Sequence, residues 1–182
     1  MSSKKIIIII ILLLLIGLTL YLIIKEEKDS VKFKNEYEKY NNLTFNNNDK
    51  IEKFHNVEID KKNPIIYLTE ENVIEELNGE NKLVFLGTPE DNNSRKAIST
   101  LLKVANENGI EKIYYYNIEN EKSKNYKEIL KKIDKETLEI PVLMLIKNKK
   151  IENYSQGITK EKELYEKYEE IMIDYLMCTS SC

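Results

Sequence analysis

Groups able to attack, ligate or shuttle protons are scarce in this chain. It has one histidine, His55, one arginine, Arg95, and two cysteines at its very end, Cys178 and Cys182. The sulfurs form a C-x-x-x-C tail, CTSSC, and in an oxidising exterior they are expected to bond to each other. The closed loop would be tiny, so its stabilising effect on the unfolded chain sits at the low end. One histidine and two terminal cysteines form no zinc pattern, and no metal or cofactor is expected. Ser94 as a hydrolytic nucleophile would need a base, and His55 lies far off in a polar segment, where it reads as a solvated surface residue. The stretch most like a site is GTPEDNNSR, Gly87 to Arg95, between the apolar run Leu83–Leu86 and a segment with helical spacing. A strand, a short turn and a helix start would aim unpaired N–H groups at whatever the turn holds.

The elements around that turn are legible from Pro64 onward. Ile65–Leu68 predicts a short strand, and Thr69 a cap for a helix carrying Val73, Ile74 and Leu77. Lys82–Gly87 predicts a buried strand. The next helix would put Ala97, Ile98, Leu101, Leu102 and Ala105 on one face and stop near Gly109. Lys112–Ile118, KIYYYNI, has strand spacing, and its tyrosines read as core. Tyr126, Ile129, Leu130 and Ile133 mark a helix. Val142–Ile146 and Lys150–Tyr154 flank Asn148-Lys149 as a strand pair. A last helix carries Leu164, Tyr168, Ile171, Met172, Tyr175 and Leu176. The order β-α-β-α-β-α-β-β-α is that of an α/β sandwich with a mixed sheet.

Ahead of this domain lie two other segments. Residues 6–24, IIIIIILLLLIGLTLYLII, are uncharged and almost wholly apolar. As a helix they would be roughly 28 Å long, close to a bilayer's hydrocarbon thickness. Lys4 and Lys5 precede them and no cleavage site or lipid-acceptor cysteine follows, as in an uncleaved signal anchor with residues 1–5 as its tail. The flanking lysines do not fix orientation by count, but a long following domain translocates largely regardless of charge. The N-terminus is therefore expected inside and the domain outside. Residues 25–63 read as a polar stalk, with Phe33, Tyr37 and Tyr40 giving one short amphipathic helix and NNLTFNNN a loop. The sequons at Asn42 and Asn92 are of a kind that arises by chance in an Asn-rich chain.

Charge is nearly balanced at −3 and lysines interleave with acids, which excludes a nucleic-acid binder needing a basic face. The runs Glu119–Glu128 and Glu161–Glu170 read as solvated helix faces.

The element order over residues 64–177, with Pro141 directly before the strand Val142–Ile146, resembles the thioredoxin fold. More narrowly it resembles membrane-associated thioredoxin-like proteins of Gram-positive bacteria, including bacteriocin transport accessory proteins, whose turn looks like G-x-P-E-C-P-x-C-R. Gly87, Pro89, Glu90 and Arg95 match that frame. Asp91 and Ser94 stand at the cysteine positions, with Asn92 and Asn93 between them. The resemblance implies a cis-proline at Pro141 and peptide pairing along the backbone at Ile140 and Pro141. It also makes the 178–182 pair an ancestral staple.

The departures decide the chemistry. Exchange needs a thiolate and a resolving thiol three residues on, and neither Asp91 nor Ser94 carries sulfur. Asp91 suits the N-cap of the following helix, accepting from the N–H of Asn93 or Ser94, or alternatively receives a basic peptide group. The leading expectation is a membrane-anchored, extracytoplasmic domain that has lost redox catalysis and binds an exported or envelope protein or peptide. The enzyme alternative is a thiol–disulfide oxidoreductase using Cys178 and Cys182 folded back towards the turn, although nothing cationic adjoins them in sequence. A third is a purely structural envelope protein.

Overall fold

A computed structural model describes residues 29–47, 50–118 and 124–179. The apolar segment 6–24, the tail 180–182 with Cys182, and the run 119–123 lie outside the described residues. Among the described residues no helix is long and apolar enough to cross a membrane.

Lys82–Gly87 (β4) is apolar at nearly every position because it is covered on both faces, as central strands of mixed sheets are. Its side chains still alternate. Leu83 and Phe85 enter one core with Ile113, Tyr115, Leu143 and Leu145. Val84 and Leu86 enter the other with Tyr116, Val142, Met144 and Ile146. The five-stranded sheet has the order β3-β5-β4-β6-β7, with β3 at Ile65–Tyr67, β5 at Ile113–Asn117, β6 at Val142–Lys147 and β7 at Lys150–Gln156. β3, β4 and β5 are parallel, β6 is antiparallel to β4, and β7 is antiparallel to β6. Asn148 and Lys149, with φ of 50° and 65°, make the two-residue link between β6 and β7.

Helices cover both faces. α2 (Val73–Glu76) and α4 (Lys124–Ile133) pack with the second core. α3 (Asn92–Glu107) and α5 (Glu161–Thr179) pack on the first. α2 is shorter than the sequence suggests. Its N-cap position is Asn72, not Thr69, whose N–H instead donates to Asn72 Oδ1 in a turn.

The largest correction concerns residues 25–63. The described part of this region is no stalk. Helical residues 29–38 (α1) bury Phe33 and Tyr37 completely, and Val57 and Ile59 join them in the first core. The reason is the i, i+4 spacing of Phe33 and Tyr37, which meets Tyr67 and Tyr115 across the edge of the sheet. Truncating either ring would cost a few kcal/mol, more than a detachable linker residue would. NNLTFNNN is not a plain loop either. Thr44–Asn47 (β1) pairs antiparallel with Lys50–Lys53 (β2), and Phe45 stacks near Phe54, which neighbours Tyr40.

Candidate functional site

β4 delivers the turn and β6 delivers Pro141 to the same end of the sheet. Leu86 is paired with Val142, so one step further Gly87 comes level with Pro141. The Ile140–Pro141 bond is cis. The Pro141 and Glu139 carbonyls both accept from the Gly157 N–H, at 3.3 and 2.9 Å, which fastens this loop to β7. No described residue hydrogen-bonds the Ile140 N–H or carbonyl.

In the turn, Asp91 has extended backbone geometry and its carboxylate accepts from the Ser94 N–H at 2.6 Å, the N-cap arrangement expected for it. Ser94 is fully buried with its hydroxyl unpartnered. That oxygen would sit 3.1 Å from a Cβ on Gly87, and the Phe85 ring 3.0 Å, so a side chain at 87 would press on both. Asn92 and Asn93 are half-exposed.

Arg95 is the unexpected centre of the site. Fully buried, it has no carboxylate partner among the described residues. Its Nε donates to the His55 carbonyl at 2.7 Å, Nη1 to the Tyr37 carbonyl at 2.5 Å and the Pro89 carbonyl at 3.3 Å, and Nη2 to Asn41 Oδ1 at 2.7 Å. Its guanidinium lies 5.7 Å from the Phe54 ring centre and 5.9 Å from that of Tyr40. Burial lowers its pKa from the usual arginine value, an effect opposed by the nearby Tyr37 and Tyr40. A planar five-donor group suits four divergent acceptors as no lysine could. Around it, the Tyr40 hydroxyl donates to Glu90 at 2.5 Å. Asn92 accepts from the His55 N–H at 2.6 Å and donates to the Lys53 carbonyl at 3.1 Å.

Glu90, Asn92 and Arg95 thus all face residues 37–55. Three of the turn's residues hold the N-terminal segment in place, a role that reading the turn alone misses. The available signals were the aromatic spacing before it and the single arginine in a lysine-rich chain. His55 is exposed overall, and partial desolvation of its imidazole, then Lys96 and Arg95, hold it below the usual value. Beneath the turn, the Tyr115 hydroxyl donates to the Gly87 carbonyl at 3.2 Å, and burial raises the phenols of Tyr115 and its neighbour Tyr37 well above the ordinary range.

Charge is uneven here. The described connections 68–72, 88–91, 137–141 and 157–160 carry Glu70, Glu71, Glu90, Asp91 and Glu139 against Lys160, while the described part of segment 39–55 beside the turn adds Lys39, Lys50 and Lys53 against Glu52.

Cys178 is elsewhere. β6 and α5 both run away from the turn, and Cys178 ends beside Lys147, whose pKa rises through a hydrogen bond to the thiol. A strand of this length spans roughly 17–20 Å, so Cys178 is not folded back to the turn. The expectation that no cation adjoins it is also corrected, because Lys147 comes from a different element. Among the described residues no three His, Cys, Asp or Glu side chains converge as metal ligands.

The strand order, the helices on both faces and the cis-proline level with the turn define the class: an α/β sandwich with a mixed sheet and thioredoxin-like topology. No family model matches the chain, and no curated protein does. Among solved structures, the zinc-bound form of human ERp44 is similar at 17% identity and a TM-score of 0.38, over 58% of this chain. The matched part is 30% of that structure's own chain.

Proposed function

We propose that this protein is a membrane-anchored, extracytoplasmic thioredoxin-like domain without redox catalysis, which binds extended peptide segments of exported or envelope proteins beside Pro141. Kinship with bacteriocin transport accessory proteins belongs to the same proposal. The observation that carries it is the pairing of a sulfur-free turn with an unclaimed backbone at Ile140. Asp91 spends its carboxylate on the helix start and Ser94 is buried, so neither group is placed to attack. The acidic rim formed by Glu70, Glu71, Glu139 and Asp91 favours basic peptides, since like charges are rejected and opposite ones drawn in.

The test has two parts. Purified chain with Cys178→Ser and Cys182→Ser is assayed for disulfide reduction, where turnover above background would sink the loss of redox chemistry. A photocrosslinking residue at Ile140, expressed in intact cells, should capture a specific partner that the same residue at Lys103 does not. Capture at neither position overturns peptide binding and leaves the envelope-structural role.

The enzyme reading has one specific observation behind it, the placement of Cys178 beside Lys147. That reading requires mixed disulfides trapped through Cys178 or Cys182, independent of Pro141.

A further inference from the structure

We propose that the end of the domain opposite the turn is a bilayer-docking face, seated on the anionic headgroups of the membrane its own N-terminal segment enters. The proposal rests on the anchor reading of residues 6–24. Because β3, β4 and β5 are parallel, the connections that lead into them, 60–64, 77–81 and 108–112, share one end of the molecule. The β6–β7 link and the last turns of α5 reach the same end.

α1 rises from there. The Ser30 hydroxyl donates to the Lys61 carbonyl at 2.6 Å and Asn63 donates to the Ser30 carbonyl at 3.0 Å, while Tyr37 and Tyr40 reach the turn. Only residues 25–28 separate α1 from the apolar segment. Fully extended they reach about 14 Å. That is no more than the roughly 15 Å radius of gyration of a domain this size. Such a tether keeps this end within reach of the lipid, and its charges decide whether it seats there.

Its chemistry fits. The connections 60–64, 77–81, 108–112, 134–136 and 147–150 carry Lys61, Lys62, Lys112, Lys135, Lys147, Lys149 and Lys150 against Asp60, Glu80, Glu111, Asp134 and Glu136, a basic balance where the turn connections are acidic. Val31, Ile173 and Met177 are large apolar residues left 37%, 44% and 57% exposed, and all three lie on the parts of α1 and α5 nearest this end. Lysines held at an anionic surface each contribute about fivefold in affinity, and apolar side chains beside them reach into the headgroup layer.

The experiment uses the full chain with Cys178→Ser and Cys182→Ser, reconstituted in vesicles of phosphatidylcholine alone or with one third phosphatidylglycerol. A spin label is placed at Lys62→Cys or, as the distal control, at Lys160→Cys, and read by collision with an aqueous nickel chelate. The expected result is at least threefold protection of the Lys62 label in anionic vesicles only, with the Lys160 label unchanged. Raising salt from 0.01 to 1 M, which shortens the screening length from about 30 to about 3 Å, should abolish that protection. So should Lys61→Glu with Lys112→Glu and Lys150→Glu. Equal exposure of both labels in both lipids, with the chain retained through an alkaline carbonate wash, overturns the docking and leaves the anchor standing. Release of the chain by that wash overturns the anchor and the docking together.

Discussion

Replacing Arg95 by alanine should cost far more than its place in a surface turn would suggest. The guanidinium serves four acceptors, but they do not count equally. Asn41 Oδ1 keeps a second donor, the Val57 N–H at 2.9 Å, and the Pro89 bond at 3.3 Å is long. The Tyr37 carbonyl retains only a 3.4 Å bond from the Tyr40 N–H, and the His55 carbonyl has no other described donor. Leaving these two unmet costs about 1–3 kcal/mol each where water cannot replace the donor. The lost packing of a fully buried side chain adds about 1 kcal/mol. The expected total is about 4 kcal/mol, a large share of the roughly 5–15 kcal/mol that holds a typical domain folded. For a domain of this size the melting temperature should fall by roughly 8–16 °C.

Equilibrium unfolding followed by circular dichroism and tyrosine fluorescence measures this directly, since the chain has twelve tyrosines and no tryptophan. Arg95→Lys should fall between the two, because one ammonium cannot reach carbonyls on both Tyr37 and His55. Amide exchange gives the local signature: residues 53–57 should lose protection before β6 does. A loss below about 1 kcal/mol for Arg95→Ala, or β6 opening first, would refute the clamp.

Other expectations follow from single contacts. Asp91→Ala removes the side-chain N-cap of α3 and should cost about 1 kcal/mol by denaturant titration, with Asp91→Asn nearly neutral. Gly157 and Gly109 share a left-handed φ, 62° and 65°, but a Cβ at 157 would overlap the Glu139 carboxylate whereas one at 109 meets nothing within 4 Å. Gly109→Ala should therefore cost about 1 kcal/mol and Gly157→Ala clearly more, with Glu139→Ala relieving only the latter in a double-mutant cycle. Burial opposes ionisation of Glu38, but hydrogen bonds from Lys34 and the Ile59 N–H outweigh it and hold the carboxyl below its usual range. Its stabilising share is then complete above about pH 4.3 and is lost as pH falls through the folded-state value. Glu38→Gln should flatten the acid side of the stability curve, which pH-dependent urea titrations will show.

From residue 64 onward, most of this fold was legible because its strands are short apolar runs between turn residues and its helices have one apolar stripe. Asp91 as N-cap and Pro141 before β6 were readable on the same local terms. The N-terminal segment was not. Its apolar residues are few and set among lysines and asparagines, so burial of Phe33, Tyr37, Val57 and Ile59 depends on partners over 30 residues away, such as Tyr115. Asparagine is a poor strand former, and β1 and β2 owe their pairing to Phe45, Phe54 and Tyr40 more than to propensity. Arg95 was noticed as a matching motif residue, but its acceptors are mostly backbone carbonyls, which carry no sequence signature. The lysine beside Cys178 was hidden for a similar reason, since β6 supplies it across the sheet.

The seating of α1 also decides how the protein bears load. A pull applied at residue 29 does not run out along slack chain. It enters through the Asp29 carboxylate on the Tyr67 N–H and the Ser30–Lys61 bond. It then passes along the packed rings of Phe33 and Tyr37 to Arg95, at the head of α3. Tension from the N-terminal side thereby reaches the helix that begins at the turn only after the bonds of Asp29 and Ser30 have given way.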